Sequence, residues 1–385
     1  MKKINFFLAI FYLIFLFITF SKPSIAKGLQ TNGIEQTPKQ MFYTGNVVRI
    51  LKQGEKTIAG IKNPFQILQI RILDGTDKGK LITIDYGGIV SLTPQQEVKV
   101  GDTVILQNTQ NAPNGKNGYM IYDKYRLTNI IYIAIVFFLL VILIAGWKGL
   151  GSLFGLSVSL AVILLYMIPQ ILSGSNPLQT SIIASLVILL ITTYLAHGVS
   201  KQTTVALFST FVSLMITVFL SSFFVRVTEL SGMTSENSTL LFGPTSHINL
   251  QGLLLAGIII GTLGALNDIT TTQSATIFEL AQHEEKASFQ KLFVKGFYIG
   301  REHIVSMINT LVLAYAGSAL ALLLFFVLNP QKIPYWVIIN NEDLSDEIIR
   351  TLAGSMGLIL VVPIVTFFAA FVFDKKVQQF FRNLI

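Results

Sequence analysis

The sequence predicts an α-helical polytopic membrane protein that carries an N-terminal extracytoplasmic β-rich domain, a small barrel or OB-like fold. Three observations predict it. Hydrophobic residues are 52% of the 385 and charged residues only 12%, against about 25% charged in a soluble domain, and mean hydropathy is +0.64. Apolar segments near the ~20 residues that cross a bilayer fill the chain from residue 129 onward. Ahead of them lie short alternating segments separated by turn residues.

The elements follow in order. Residues 1–26 read as a secretory signal: Lys2-Lys3, an apolar stretch over 4–20, and Ser24-Ile25-Ala26 as a small-x-small cleavage site. An uncleaved signal anchor is the alternative, and both put residue 27 outside the cytoplasm. Residues 27–40 are a polar linker within a domain spanning 27–127. QILQIRIL (66–73), KLITIDY (80–86), TVILQ (103–107) and GYMIYDKY (118–125) read as strands. Asp74-Gly75, Gly87-Gly88, Gly101-Asp102 and Asn114-Gly115 separate them as turns. A generic sandwich without a ligand site is the plainer reading of this domain. The helical bundle occupies 128–385, with spans near 129–147, 149–171, 177–196, 203–225, 250–267, 303–329 and 351–373. That makes seven transmembrane helices, eight if the signal stays attached.

Orientation follows from the basic residues. With residue 27 outside, the cytoplasmic loops hold Lys148, Lys201, Lys286, Lys291, Lys295, Arg301, Lys375, Lys376 and Arg382, and the opposite loops hold Arg226, Lys332 and Arg350. This is the positive-inside asymmetry, and it places the C-terminus in the cytoplasm. The formal charge of +8 therefore reports membrane orientation, and no nucleic-acid partner is expected. The absence of Cys excludes disulfides, thiolate metal sites and Cys nucleophiles. His197, His247, His283 and His303 lie far apart in sequence with no zinc-ligand spacing, so no metal and no cofactor is expected. No P-loop, G-x-S-x-G elbow or HExxH helix occurs, and no enzyme activity is expected.

The most informative tract is GLLLAGIIIGTLGALNDITTTQSATIFEL at 252–280. An ionisable residue at membrane depth is costly and faces a bundle interior or a water-filled path. Asp268, Thr272 and Glu279 share one helical face. Asp268 is the candidate coupling or binding acid, with Asn267 beside it, Thr272 as a neutral ligand and Glu279 as a further acid. Two plainer readings compete. Asn267-Asp268 could cap a helix that starts or restarts there, and Glu279 could belong to an ordinary cytoplasmic helix. The second tract, 296–318, carries Arg301, Glu302 and His303, then Asn309 on the face of Glu302. Glu302 is a second candidate acid, and Asn309 a neutral ligand or interhelical glue. His303 is an interfacial residue or a relay, and Arg301 is the candidate ion-pair partner of Asp268. Gly257, Gly261 and Ala265, and likewise Gly151 and Gly155, are spaced by four and read as helix-packing positions. Pro169, Pro177 and Pro363 mark span ends or kinks.

These tracts carry a resemblance. Leu263-Gly264-Ala265-Leu266-Asn267-Asp268-Ile269 with Ser274 and Glu279-Leu280, and Gly300-Arg301-Glu302-His303 with Asn309-Thr310-Leu311-Val312-Leu313-Ala314-Tyr315, resemble the YibE/F-like family of bacterial multi-pass membrane proteins. The chain departs from the family pattern at Thr270, Thr271 and Thr272, and at Glu302. The resemblance implies a bacterial plasma-membrane protein with an extracytoplasmic β-rich segment. The expected partners are the lipid bilayer, a small solute or ion of unknown identity, and a protein docking at the β domain. The leading functional expectation is a transporter or permease, proton-coupled, with a path along the fifth and sixth spans. The alternative is a non-transporting envelope scaffold or partner subunit. An intramembrane enzyme ranks last, for want of a nucleophile–base set.

Overall fold

The computed structural model describes residues 41–384, apart from 59–60, 88–91, 110–117, 235–247, 285–286 and 330–331. The predicted signal and linker, and His247, lie outside the described residues. The chain divides near residue 140 into two compact units.

The first unit is built on a five-stranded antiparallel sheet: β1 (Met41–Ile58), β2 (Ile61–Ile72), β3 (Leu81–Tyr86), β4 (Thr103–Thr109) and β5 (Gly118–Lys124), in the order β3-β2-β1-β4-β5. The four segments read as strands from sequence fall on β2 to β5. β1 is the long element that joins the two halves. It pairs with β4 from Met41 to Asn46 and with β2 from Gly45 to Ile58. Register shifts between Val47 and Arg49 and between Ile50 and Lys52 bend it, and the edge strands β3 and β5 come into contact. Alternation puts Val47, Leu68, Ile70, Ile72, Val104 and Leu106 into one buried cluster. Gly45 is required there, because a Cβ would fall 2.6 Å from Ile70 and 2.7 Å from Leu106. Buried Gln66 bonds both N–H and C=O of Val98 at 2.9 Å, tying the strand to the approach of the Gly101 turn.

The helices follow. α1 (Leu127–Val162) is interrupted at Gly146, which takes φ 56° and ψ −139°, so Leu127–Trp147 and Gly149–Leu172 are separate apolar segments. The second of these closes through a π-turn, Ile163–Met167, and α2 (Ile168–Leu172). Then come α3 (Pro177–His197), α4 (Lys201–Val227), α5 (Leu250–His283), α6 (Phe289–Ser318), α7 (Leu320–Leu328), α8 (Tyr335–Ile339), α9 (Glu342–Phe373) and α10 (Lys375–Leu384). Asn176, Ser200, Asn249 and Asn341 cap α3, α4, α5 and α9 by accepting N–H bonds in the first turn. Among the described residues, six helices are long and apolar enough to cross a membrane, or seven if α6 and α7, bent by 65° at Ala319, count as one.

Two sequence expectations need correction. The helix does not start or break at Asn267-Asp268: α5 runs unbroken to His283, and its cap is Asn249. The helix that carries the sixth apolar segment begins at Phe289, ahead of residue 303, and breaks at Ala319, beside Gly317-Ser318, the kind of small pair at which helices kink.

In the second unit α9 is the hub, packed on α4, α5 and α6, while α5 also packs on α3 and α4. Glycines on α9 and α6 allow this. A Cβ at Gly354 would fall 2.8 Å from Thr262, at Gly296 2.9 Å from Ile277, and at Gly300 2.5 Å from Val362. Gly357 sits directly against Thr217. Leu214, Ile259, Leu266, Leu358, Val361 and Val362 close the core between these helices.

Candidate functional site

The site is built on α5, whose two faces differ sharply. One face carries Leu266, Thr270, Gln273, Ser274, Ile277 and Ala281, all buried. The other carries Gly257, Gly261, Gly264, Asp268, Thr272, Ala275 and Glu279, all exposed. Each of the latter is three or four residues from the next, so they form a single stripe.

Polar bonds fix the roll of α5. Thr193 of α3 donates to Asn267 Oδ1 at 2.9 Å. The hydroxyls of Thr210 and Thr270 meet at 2.6 Å, and Ser274 donates to the Gln202 carbonyl at 2.9 Å. Gln273 donates to the Gly296 carbonyl at 2.7 Å and to Thr366 Oγ1 at 2.9 Å, joining α5 to α6 and α9. Rotating the helix would strand all of these buried groups, each at a cost of about 1–3 kcal/mol. The exposed stripe is therefore held outward.

Beside that stripe is a cavity of about 680 Å³, lined by His197 at the end of α3 and by Thr271, Thr272, Thr276, Glu279 and His283 of α5. A smaller cavity of about 230 Å³ shares His197, Thr271 and Ala275 with it and reaches Gln202 and Thr203 of α4. The larger lies within the size range of small-molecule pockets. Asp268 is one helical turn from Thr272 on the same exposed face. Among the described residues its carboxylate accepts no hydrogen bond and joins no ion pair, although His197 acts on it electrostatically. The lining thus combines one carboxylate, two imidazoles and three hydroxyls, with a second carboxylate one turn further along. Such groups can hold and pass protons or replace the hydration of a small cation.

The remaining predicted residues are placed as follows. Asn267 lies on the helix-packing side, bonded to Thr193. Arg301, Glu302 and Asn309 are exposed on α6, and no bond or ion pair joins them to α5 among the described residues. Arg301 and Asp268 form no ion pair among the described residues. Gly155 lies against Thr192 and Gly151 against the Leu195 carbonyl of α3, at 3.1 Å from an added Cβ. In the stripe of Gly257, Gly261 and Ala265, a Cβ at Gly257 would meet nothing within 4 Å, one at Gly261 would fall 2.9 Å from the Tyr315 hydroxyl of α6, and Ala265 packs against the core cluster. Gly296 and Gly300 of α6 make further close contacts.

Sequence reasoning passed over His197, His283 and Gln273. The two imidazoles are separated by most of α4 and α5 and meet only through the fold. Gln273 does lie in the polar run after Asp268, on the face opposite the acids. At the mouth of this end, Glu284 pairs with Lys295 at 2.6 Å and Lys291 at 3.6 Å. The Lys295 hydrogen bond holds its carboxyl below the usual range. Among the described residues, no group of three or more His, Asp or Glu could hold a metal ion.

No curated protein and no solved structure matches the chain. Residues 133–375 match the YibE/F-like protein family, from within the first apolar helix to the start of α10. That match takes in every helix that shapes the site and well over half of the sequence, and the chain belongs to the YibE/F-like family.

Proposed function

We propose that this protein is a proton-coupled transporter of a small solute or ion, with Asp268 as the coupling acid. The observation that carries the reading is the exposed stripe of α5. A carboxylate on an apolar helix, without an ion pair among the described residues, stands in line with a cavity onto which imidazoles, hydroxyls and a carboxylate open. A lipid-facing Asp would cost several kcal/mol, whereas an aqueous groove solvates it. His197, Glu279 and His283 then line the inner vestibule, and Thr271, Thr272 and Thr276 offer neutral ligands. Gly257 and Gly264 leave open space along the outer half of the groove, and the Tyr315 hydroxyl packs on Gly261 between them.

The same reading takes α6 and α7 together as one crossing, giving seven, in a bacterial plasma membrane with the β unit outside. The strand order β3-β2-β1-β4-β5 and the approach of its edges support a partly open, OB-like barrel for that unit. The scaffold reading draws on a separate observation. Phe42, Met120 and Tyr122 are exposed, and the rings of Phe42 and Tyr122 meet edge-on at 5.2 Å. Such a patch suits a docking protein.

The test is proton flux in liposomes holding the purified full chain, read by an internal pH-sensitive dye after an imposed pH gradient. The wild-type chain is expected to dissipate the gradient faster than empty liposomes, and Asp268→Asn to lose that excess. Asn caps and packs about as well as Asp but cannot titrate. A wild-type rate equal to that of empty liposomes, or an undiminished rate in Asp268→Asn at equal protein content, counts against the proposal.

A further inference from the structure

A second acid, distant from the α5 cavity, lies at the start of α9. Asp346 is 1% exposed, and neither carboxylate oxygen has a hydrogen-bond partner. Ile349 and Ala353, three and seven residues on and so on the same helical face, pack into an apolar cluster with Val225, Leu230, Leu254, Leu255 and Ile258. An ionised carboxylate in such surroundings is expensive unless a cation or hydrogen bonds compensate it.

The groups around it are few. Glu342, Asp343, Glu347 and Arg350 act on it from its own helix. Glu342 is committed elsewhere: its Oε1 accepts the Ser231 and Gly232 N–H groups at 2.7 and 3.0 Å and the Ser231 hydroxyl at 2.5 Å. Arg350 pairs with Glu347 at 3.2 Å, and the buried Arg350 Nε and Glu347 Oε2 remain unpartnered. From α6, the Tyr315 hydroxyl is also buried without a partner and acts on Arg350 and Glu347. α4 and α5 present apolar side chains here, while Arg226 lines a separate cavity with Asn249 and Gln251. Two acids therefore share one guanidinium, and a single proton would balance their charge. No group of acids among the described residues could hold a metal, and none of the cavities described above is lined by Asp346. A proton, which needs one acceptor and no room, fits the site.

We propose that Asp346 is a proton-binding site whose release is controlled by Arg350. While Arg350 holds Glu347, Asp346 keeps its carboxyl O–H. When the guanidinium turns one helical position back to Asp346, at i−4, that O–H bond breaks. The new carboxylate takes the ion pair, and the proton leaves to Glu347 and then to water. Arg350 stays charged throughout. Glu347 is 23% exposed and Asp346 is sealed, so Glu347 is the exit. Use of this site as the outer station of a proton path rests on the transport reading; the protonation itself does not.

The test is infrared difference spectroscopy of the full chain in liposomes, following the carbonyl band of protonated carboxyl groups. At mildly acidic pH that band is expected in the wild type and in Asp268→Asn, and its Asp346 component is expected to vanish in Asp346→Asn. Glu347→Gln frees Arg350 to turn, so there too the component is expected to be lost, with Asp346 still in place. Arg350→Gln should retain it. A spectrum of Asp346→Asn identical to wild type overturns the site, and a component that persists in Glu347→Gln overturns the control by Arg350. A wild-type chain that shows the Asp346 band but conducts no protons sinks the transport reading and leaves this one standing.

Discussion

At the scale of single residues, glycines separate what the sequence could reveal from what it could not. Spacing by four marks Gly257, Gly261 and Ala265 as a packing stripe, and the same spacing at Gly296 and Gly300 is hidden among Lys291, Lys295 and Arg301. Spacing says that small residues share a face, not which neighbour that face meets. Substitution by Ala distinguishes them. At Gly300 the added methyl would sit 2.5 Å from Val362 and 2.9 Å from Gln273 Nε2, so overpacking should cost about 1–3 kcal/mol. At Gly257 nothing lies within 4 Å. There the change should be neutral, or stabilising by up to ~1 kcal/mol through helix propensity. Thermal unfolding in detergent measures both, and equal shifts for the two variants would count against the packing described. Asp268 was legible because a carboxylate in an apolar run calls for a reason. His197 and Gln273 were not, because their significance depends on contacts with distant segments.

At the scale of elements, apolar runs marked where the long helices lie, but hydropathy did not mark where those helices end. It falls at Asn267, yet α5 continues to His283 because Thr270, Gln273 and Ser274 find partners on α4, α6 and α9. β1 escaped notice for a related reason: Gly45, Gly54 and a charged second half interrupt its alternation, and its pairing with both β2 and β4 is long-range. The junction of α9 with α10 shows what side chains contribute at such ends. The Asp374 carboxylate accepts backbone N–H bonds from Phe289 at 2.6 Å, Lys376 at 2.6 Å and Val377 at 3.2 Å. Burial alone would raise its pKa, but these donors outweigh burial and hold it below the usual carboxylate range. The folded state therefore favours the ionised form. The resulting stability is fully present above the unfolded value of about 3.9 and is lost as pH falls through the lower folded value. Asp374→Ala should cost about 1–2 kcal/mol at neutral pH, as loss of a helix cap does. Its deficit relative to wild type should narrow on acidification below about pH 4. Unfolding measured across pH checks this, and a deficit that does not change with pH would remove the role of the charge.

At the scale of the whole bundle, hydrogen bonds between helix ends bear on how many times the chain crosses the membrane. Gln251, at the start of α5, bonds the Leu230 carbonyl, and Glu342, at the start of α9, bonds Ser231 and Gly232. Both helices therefore begin beside the segment that follows α4. At the other end, Phe289 donates to Asp374 and Lys375 to the Ala287 carbonyl, so α9 finishes where α5 finishes. Two helices that run in the same direction need a return between them, and only residues 289–341 can supply it. The 30 residues of α6 measure about 45 Å at 1.5 Å each, enough for a hydrocarbon core of about 30 Å even though α7 bends away. This supports counting the bent pair as one crossing rather than a loop that re-enters from the same side. The orientation proposed from the basic residues puts the 284–301 end in the cytoplasm. Because the chain contains no Cys, single cysteines can test it directly with a membrane-impermeant maleimide. Ser175→Cys and Asn340→Cys should be labelled from outside intact cells, and Gly198→Cys only after the membrane is opened. If Asn340→Cys were labelled only in opened cells while Ser175→Cys reacted from outside, residues 289–341 would not return across the membrane. The parallel course of α5 and α9 would then have no connection to carry it.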